Sequence, residues 1–123
     1  MTPKPPVIHE SFTPLPCSGS PGARNTQQQL GCAEQQILHS DKQIDKVAKT
    51  VFGLLHDDAA RRRLIAAQRS WQAYRQADCA NRSDLFEGGS QAPVIAAACA
   101  ADRNAARLHD LRTFVSDLSA NGP

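Results

Sequence analysis

Four cysteines, Cys17, Cys32, Cys79 and Cys99, constrain this chain more than any other feature. No two of them lie within four residues of each other, whereas zinc sites favour close pairs of cysteine or histidine. A redox C-x-x-C is absent as well. An even number of well-separated cysteines fits two disulfides formed in an oxidising compartment. The opening stretch, "MTPKPPVIHE", has no apolar h-region and so is not a signal peptide. The expectation is a periplasmic or secreted domain whose leader has been removed, with no metal and no cofactor.

Six of the eight prolines fall in residues 1–25, together with Gly19, Gly22 and three serines. Proline removes a donor and fixes φ, so "TPKPPVIHESFTPLPCSGSPG" reads as an extended arm. Residues 1–16 are expected to be a flexible Pro-rich arm, the first ten a mobile tail, with the alternative that Val7, Ile8, Phe12 and Leu15 pack onto the bundle. Residues 17–119 then form one disulfide-stapled helical domain, with Cys17 pinning the end of the arm.

A first helix is expected from Asn25 or Thr26, either of which can cap the free N–H groups of the first turn. Leu30, Ala33, Ile37, Ile44, Val47, Ala48, Val51, Leu54 and Leu55 mostly step by three and four, an amphipathic stripe of about 30 residues. Asp41 interrupts that stripe. It is either exposed at the edge or a buried carboxylate with an arginine partner. His56, Asp57 and Asp58 break the pattern and offer a cap to a second helix, about Ala59 to Ala80. Its inner face reads Leu64, Ala67, Gln68, Trp71, Tyr74, Arg75 and Asp78. "NRSDLFEGGSQAP" follows as a loop, with Gly88 and Gly89 to turn the chain and Pro93 suited to a first helical turn. The third helix runs from about Pro93 to Leu118, with Val94, Ala98, Ala105, Leu108, Leu111, Val115 and Leu118 facing inward.

The fold class is therefore all-α: a three-helix up-down-up bundle with two disulfides and an extended Pro-rich N-terminal arm. That topology gathers every cysteine at one end. The local pairing, Cys17–Cys32 and Cys79–Cys99, closes short loops and is expected; the other two connectivities stay open.

Composition narrows the function. The 123 residues make one domain, 41% hydrophobic with many alanines and only 5% aromatic, so its core is thin. The formal charge is +2 and the densest basic run is Arg61 to Arg63, which reads as a solvated helix face and excludes a nucleic-acid partner. No window of about 18 apolar residues encodes a membrane span, although a lipid anchor on the removed leader is compatible with the chain. His9, His39, His56 and His109 never stand at ligand spacing. The dipeptides His56-Asp57 and His109-Asp110 fall at a helix boundary or an exposed face. No G-x-S-x-G elbow occurs, and "EGGS" is too short for a phosphate cradle and lacks a P-loop lysine. Glu34 and Asp45 sit three turns apart, too far for acid–base work. The chain is not expected to be an enzyme.

Five stretches occur in the order of a known family: "TQQQLGCA" at 26–33, "HSDKQID" at 39–45, "AQRSWQAYRQADC" at 67–79, "GGS" at 88–90 and "CAADRNAARLHDL" at 99–111. They resemble the LprI-like lysozyme-inhibitor family of small secreted or lipid-anchored bacterial domains. Thr26, Gln27, Cys32, Ala33, Asp41, Gln68, Arg69, Trp71, Tyr74, Arg75, Cys79, Gly88, Gly89, Ser90, Cys99 and Arg107 match its pattern over about residues 17–112. Asn104 departs from it, standing where the family often has Thr, and Asp45 with Ala48 replaces Asn-x-x-Tyr. The resemblance implies secretion, a disulfide-bonded helical domain and, for some members, inhibition of lysozyme. The partner it implies is thus a protein, lysozyme or a related muramidase; the alternative is an envelope interaction module without inhibitory activity.

The second-helix motif reads as mainly architectural. Trp71 fills the thin core, Cys79 staples the hairpin, and Arg75 neutralises Asp41 or Asp78. Asp41 is expected within reach of Arg75 or Arg107, so Asp41, Arg75, Asp78 and Arg107 form a structural polar network. Partner contacts are then expected on the loop at 84–91, through Phe86, Glu87, Gly88, Gly89 and Ser90, with help from the disulfide-bearing end; the alternative is that Phe86 folds back to cap the core and the glycines only turn the chain.

Overall fold

Asn25 caps the first helix from both sides. Its side chain accepts the Gln28 N–H at 2.9 Å, and the Gln28 side chain accepts the Asn25 N–H at 3.0 Å, the reciprocal pairing of a capping box. The computed structural model describes residues 2–86 and 89–121. In it α1 spans Thr26–Leu54, α2 spans Asp58–Ser83, a single 3-10 turn covers Asp84–Phe86, and α3 spans Ala92–Asn121. No strand occurs among the described residues. Asp57 caps α2, accepting from Ala59 and Ala60. Arg61 belongs less to a solvated face than to the α1–α2 corner. Its Nε donates to the carbonyls of Phe52 and Leu55 at 3.2 and 2.8 Å, and its guanidinium lies 4.5 Å from the centre of the Phe52 ring. It thereby serves the free carbonyls at the end of α1.

α1 packs along α3, and α2 packs more lightly along α3, while the backbones of α1 and α2 scarcely approach each other. The space between α1 and α2 is filled by the N-terminal segment. Residues 2–18 have no regular secondary structure, yet Ile8 is 7% exposed and joins the core cluster of Ile44, Ala48, Val51, Phe52, Leu55, Leu64, Leu108 and Leu111. The Ile8 N–H donates to Asp45 at 3.0 Å, and Glu10 reaches Arg75 at 2.9 Å. Further along, the Leu15 N–H donates to Glu34 and its carbonyl accepts from Gln35. Of the apolar side chains that the sequence offered for packing, Ile8 docks in the core, and Glu10 follows it onto Arg75. Proline excludes helix from this stretch but does not stop an aliphatic side chain from finding a slot.

The inner faces also differ in phase from their expected positions. Tyr74 is 54% exposed, and Trp71 packs partly buried against the core instead of filling it. On α3 the buried residues are Ala97, Cys99, Asn104, Leu108 and Leu111, while Ala98 and Ala105 face solvent. Both disulfides follow the local pairing: Cys17–Cys32 and Cys79–Cys99, with Cα atoms 4.2 and 5.5 Å apart.

Candidate functional site

Two features stand out, a buried polar knot and an exposed apolar turn. The knot begins on α1, where Ser40 and Asp41 occupy core positions. Ser40 returns its hydroxyl to the carbonyls of Gln36 and Ile37 at 2.7 and 3.1 Å. From α3, the fully buried Asn104 donates to Ser40 Oγ and Asp41 Oδ1, both at 2.9 Å, and to the Ile37 carbonyl at 3.3 Å. From α2, Arg75 Nη1 donates to Asn104 Oδ1 at 3.0 Å and to Asp41 Oδ1 at 3.3 Å. Its Nη2 donates to both oxygens of Glu10, at 3.1 and 2.9 Å. One guanidinium thus ties all three helices and the N-terminal segment together.

A buried carboxyl, Asp41, and a partly buried one, Glu10, meet on that one cation. Burial raises the Asp41 carboxyl to about 7, with the neighbouring Glu10 adding to the rise and Asn104 and Arg75 opposing it. Oδ2 of Asp41 is buried without a donor. Protonation of Asp41 removes a negative charge from this buried site, and the neighbouring Glu10 favours the neutral form. Burial also raises Asp45, against the Ile8 N–H and His9.

The expected network divides in the structure. Asp41 meets Arg75, but Asp78 pairs with Arg82 and Arg103 at 3.4 and 3.5 Å. Arg107 donates to Gln68 at 3.0 Å and lies 5.9 Å from the centre of the Trp71 ring, whose other cationic neighbour is Arg75 at 5.4 Å. Burial lowers the Arg107 pKa. Sequence reasoning missed Glu10 and Asn104. The Asn104 signal was a polar residue four positions before Leu108 on an otherwise apolar face.

The exposed turn follows α2. Asp84 donates its N–H to the Ala80 carbonyl, Gly89 donates to Phe86 at 2.9 Å, and Ala92 donates to Gly89 at 3.2 Å. Between these bonds Leu85 is 82% and Phe86 45% exposed. Gly89 and Ser90 are exposed beside them, while Glu87 and Gly88 lie outside the described residues. A Cβ on Gly89 would come within 3.2 Å of the Phe86 carbonyl, so the turn is close-fitting there. Cys79–Cys99 closes the base of this connection. Asp78 lies within 4.8 Å of both sulfurs, but a disulfide offers no thiolate to a metal.

Fold and site define a small disulfide-stapled helical domain, built round a buried polar knot and presenting an apolar turn to solvent. Residues 17–111 match the family "Lysozyme inhibitor LprI", and the chain belongs to that family. No curated protein and no solved structure matches the chain. No described helix is long and apolar enough to cross a membrane.

Proposed function

We propose that this domain acts outside the cytoplasm as a non-enzymatic inhibitor of a lysozyme or related muramidase, gripping it with the connection at 84–91. Adjacent exposure of Leu85 and Phe86 on a turn tied by a disulfide carries this reading. Aromatic side chains such as Phe86 are enriched in the cores of protein interfaces, and tying the base reduces the entropy lost on docking. Leu85 joins Phe86, Glu87, Gly88, Gly89 and Ser90 as a contact residue. The disulfides and the family support an extracytoplasmic site of action. An up-down-up course is supported by the pairing of Asp41 with Arg75, of Arg75 with Asn104 and of Gln68 with Arg107.

The net charge of +2 gives little steering toward a basic enzyme, so affinity rests on the apolar contact and a slow dissociation. Lysozyme turnover on peptidoglycan, with and without the purified protein, is the test. The Leu85→Ala, Phe86→Ala double variant should raise the inhibition constant at least tenfold, about 1.4 kcal/mol, with an unchanged melting temperature. Absence of inhibition by the unmutated chain leaves the non-inhibitory envelope module as the better reading.

A further inference from the structure

Residues 2–16 precede the matched segment 17–111, yet part of them closes the space between α1 and α2. Pro6 and Val7 pass over Ile65, Gln68 and Gln72, Ile8 enters the core, and Glu10 ends on Arg75. The first covalent tie between this segment and the bundle is Cys17. Release of residues 6–11 therefore needs no bond broken, only the loss of one aliphatic slot, the Asp45 hydrogen bond and the Arg75 pair.

The charges that face this contact are Glu10 and His9 on the segment, Asp41 and Asp45 on α1 and Arg75 on α2. α3 contributes the neutral Asn104, its Arg103 being engaged with Asp78. Two carboxyl groups, Glu10 and Asp41, thus share one guanidinium, with Asp45 a further acid beside the segment. Closure is balanced while Asp41 is neutral, because Glu10 is then the one anion set against the Arg75 guanidinium. When Asp41 ionises, two like charges share Arg75, and desolvated like charges repel strongly. Glu10 is the one able to leave, since it sits on a chain without regular structure while Asp41 is fixed on a helix.

We propose that residues 6–11 form a pH-sensitive latch over the α1–α2 groove, shut in mildly acidic solution and loosened toward neutral and alkaline pH, with Glu10, Asp41 and Arg75 as its switch. Closure carries a proton that the open form does not keep. Its equilibrium therefore falls by up to about tenfold per pH unit until Asp41 ionises in the closed form as well. Above that point it is flat.

A glutamate-specific protease reads the latch directly, because the Glu10–Ser11 bond must leave the groove to be cut. Cleavage of the intact protein at Glu10 is followed from pH 5 to 8 and normalised to a free peptide of the same sequence. The emission of Trp71, the only tryptophan and in contact with Arg75, gives a second readout. The unmutated chain should be cut at least about fivefold faster at pH 8 than at pH 5, with a matching shift in emission. Asp41→Asn, which mimics the protonated carboxyl, should stay slow throughout. His9→Gln should keep the transition. A flat profile in the unmutated chain, or a transition that survives Asp41→Asn, overturns the latch. Should Asp41→Asn fail to fold, Glu10→Gln replaces it: its Trp71 emission must lose the pH transition, and retention is equally fatal.

Discussion

Asn104 uses its whole amide at the centre of the knot: Nδ2 serves α1 at three acceptors, and Oδ1 accepts from Arg75 on α2. Removing it takes one partner at once from Ser40, Asp41 and Arg75 in a buried site. Asn104→Ala should therefore cost on the order of 3 kcal/mol in urea unfolding, since a hydrogen bond to a charged group is worth about 1.5–3 kcal/mol and the remaining partners offset part of the loss. Asp41 adds a pH dependence of the opposite sign to that of an ordinary paired carboxylate. Folded Asp41 keeps its proton up to about pH 7, whereas in the unfolded chain it loses it near pH ~3.9. Between those values the native state binds the extra proton, so stability is greatest at the acidic end and falls as pH rises. The urea midpoint should be higher at pH 5 than at pH 7.5, and Asp41→Asn should level the difference. Part of this was legible in the sequence: an aspartate on an apolar stripe demands a partner, and Arg75 stood on the facing helix. Glu10 was not legible, because nothing local announces a pairing across 65 residues.

Two glycines in α1 separate what a helix wants from what its neighbours allow. Gly53 has open space where a Cβ would go, whereas a Cβ on Gly31 would meet the backbone carbonyls of Pro16 and Leu15. Alanine is the better helix former by about 1 kcal/mol in a helix interior. Gly53→Ala, near the helix end, should accordingly stabilise by about 0.5 kcal/mol. Gly31→Ala should destabilise instead, because the Pro16 carbonyl is backbone held close by Cys17 and cannot step aside cheaply. Thermal melts of the two variants, moving in opposite directions, check this, and equal shifts would deny that the N-terminal segment presses on α1. Helix limits were readable to within a few residues because caps such as Asn25 and Asp57 act locally. The phase of α3 was not. Its alanine-rich face offers Ala97 and Ala98, or Ala101 and Ala105, with almost equal claims to burial, and the outcome was decided by Asn104 entering the knot. How far the N-terminal segment docks was not legible for a related reason: proline content reports the lack of a helix, while attachment depends on distant groups.

At the scale of the whole molecule, the two disulfides close loops of similar length, with separations of 15 and 20 residues. Loop-closure entropy alone assigns each about 3 kcal/mol. Their positions assign them different work. Cys17–Cys32 fastens the N-terminal segment to the start of α1, whereas Cys79–Cys99 joins α2 to α3 beneath Leu85 and Phe86. α2 otherwise meets α3 through a thin contact, and its approach to α1 runs through side chains and the intervening segment. Paired alanine substitution at Cys79 and Cys99 should therefore cost about 3 kcal/mol and also let the apolar turn wander, weakening lysozyme inhibition beyond any loss of folded protein. The same substitution at Cys17 and Cys32 should cost a comparable amount but leave the inhibition constant, measured per folded molecule, within about twofold of the unmutated value, a difference of about 0.4 kcal/mol. Inhibition assays run well below both melting temperatures, with the folded fraction fixed by circular dichroism, separate the two effects. If both pairs weaken inhibition equally, the contact surface is not the turn that Cys79–Cys99 supports, and the N-terminal end of α1 must share it.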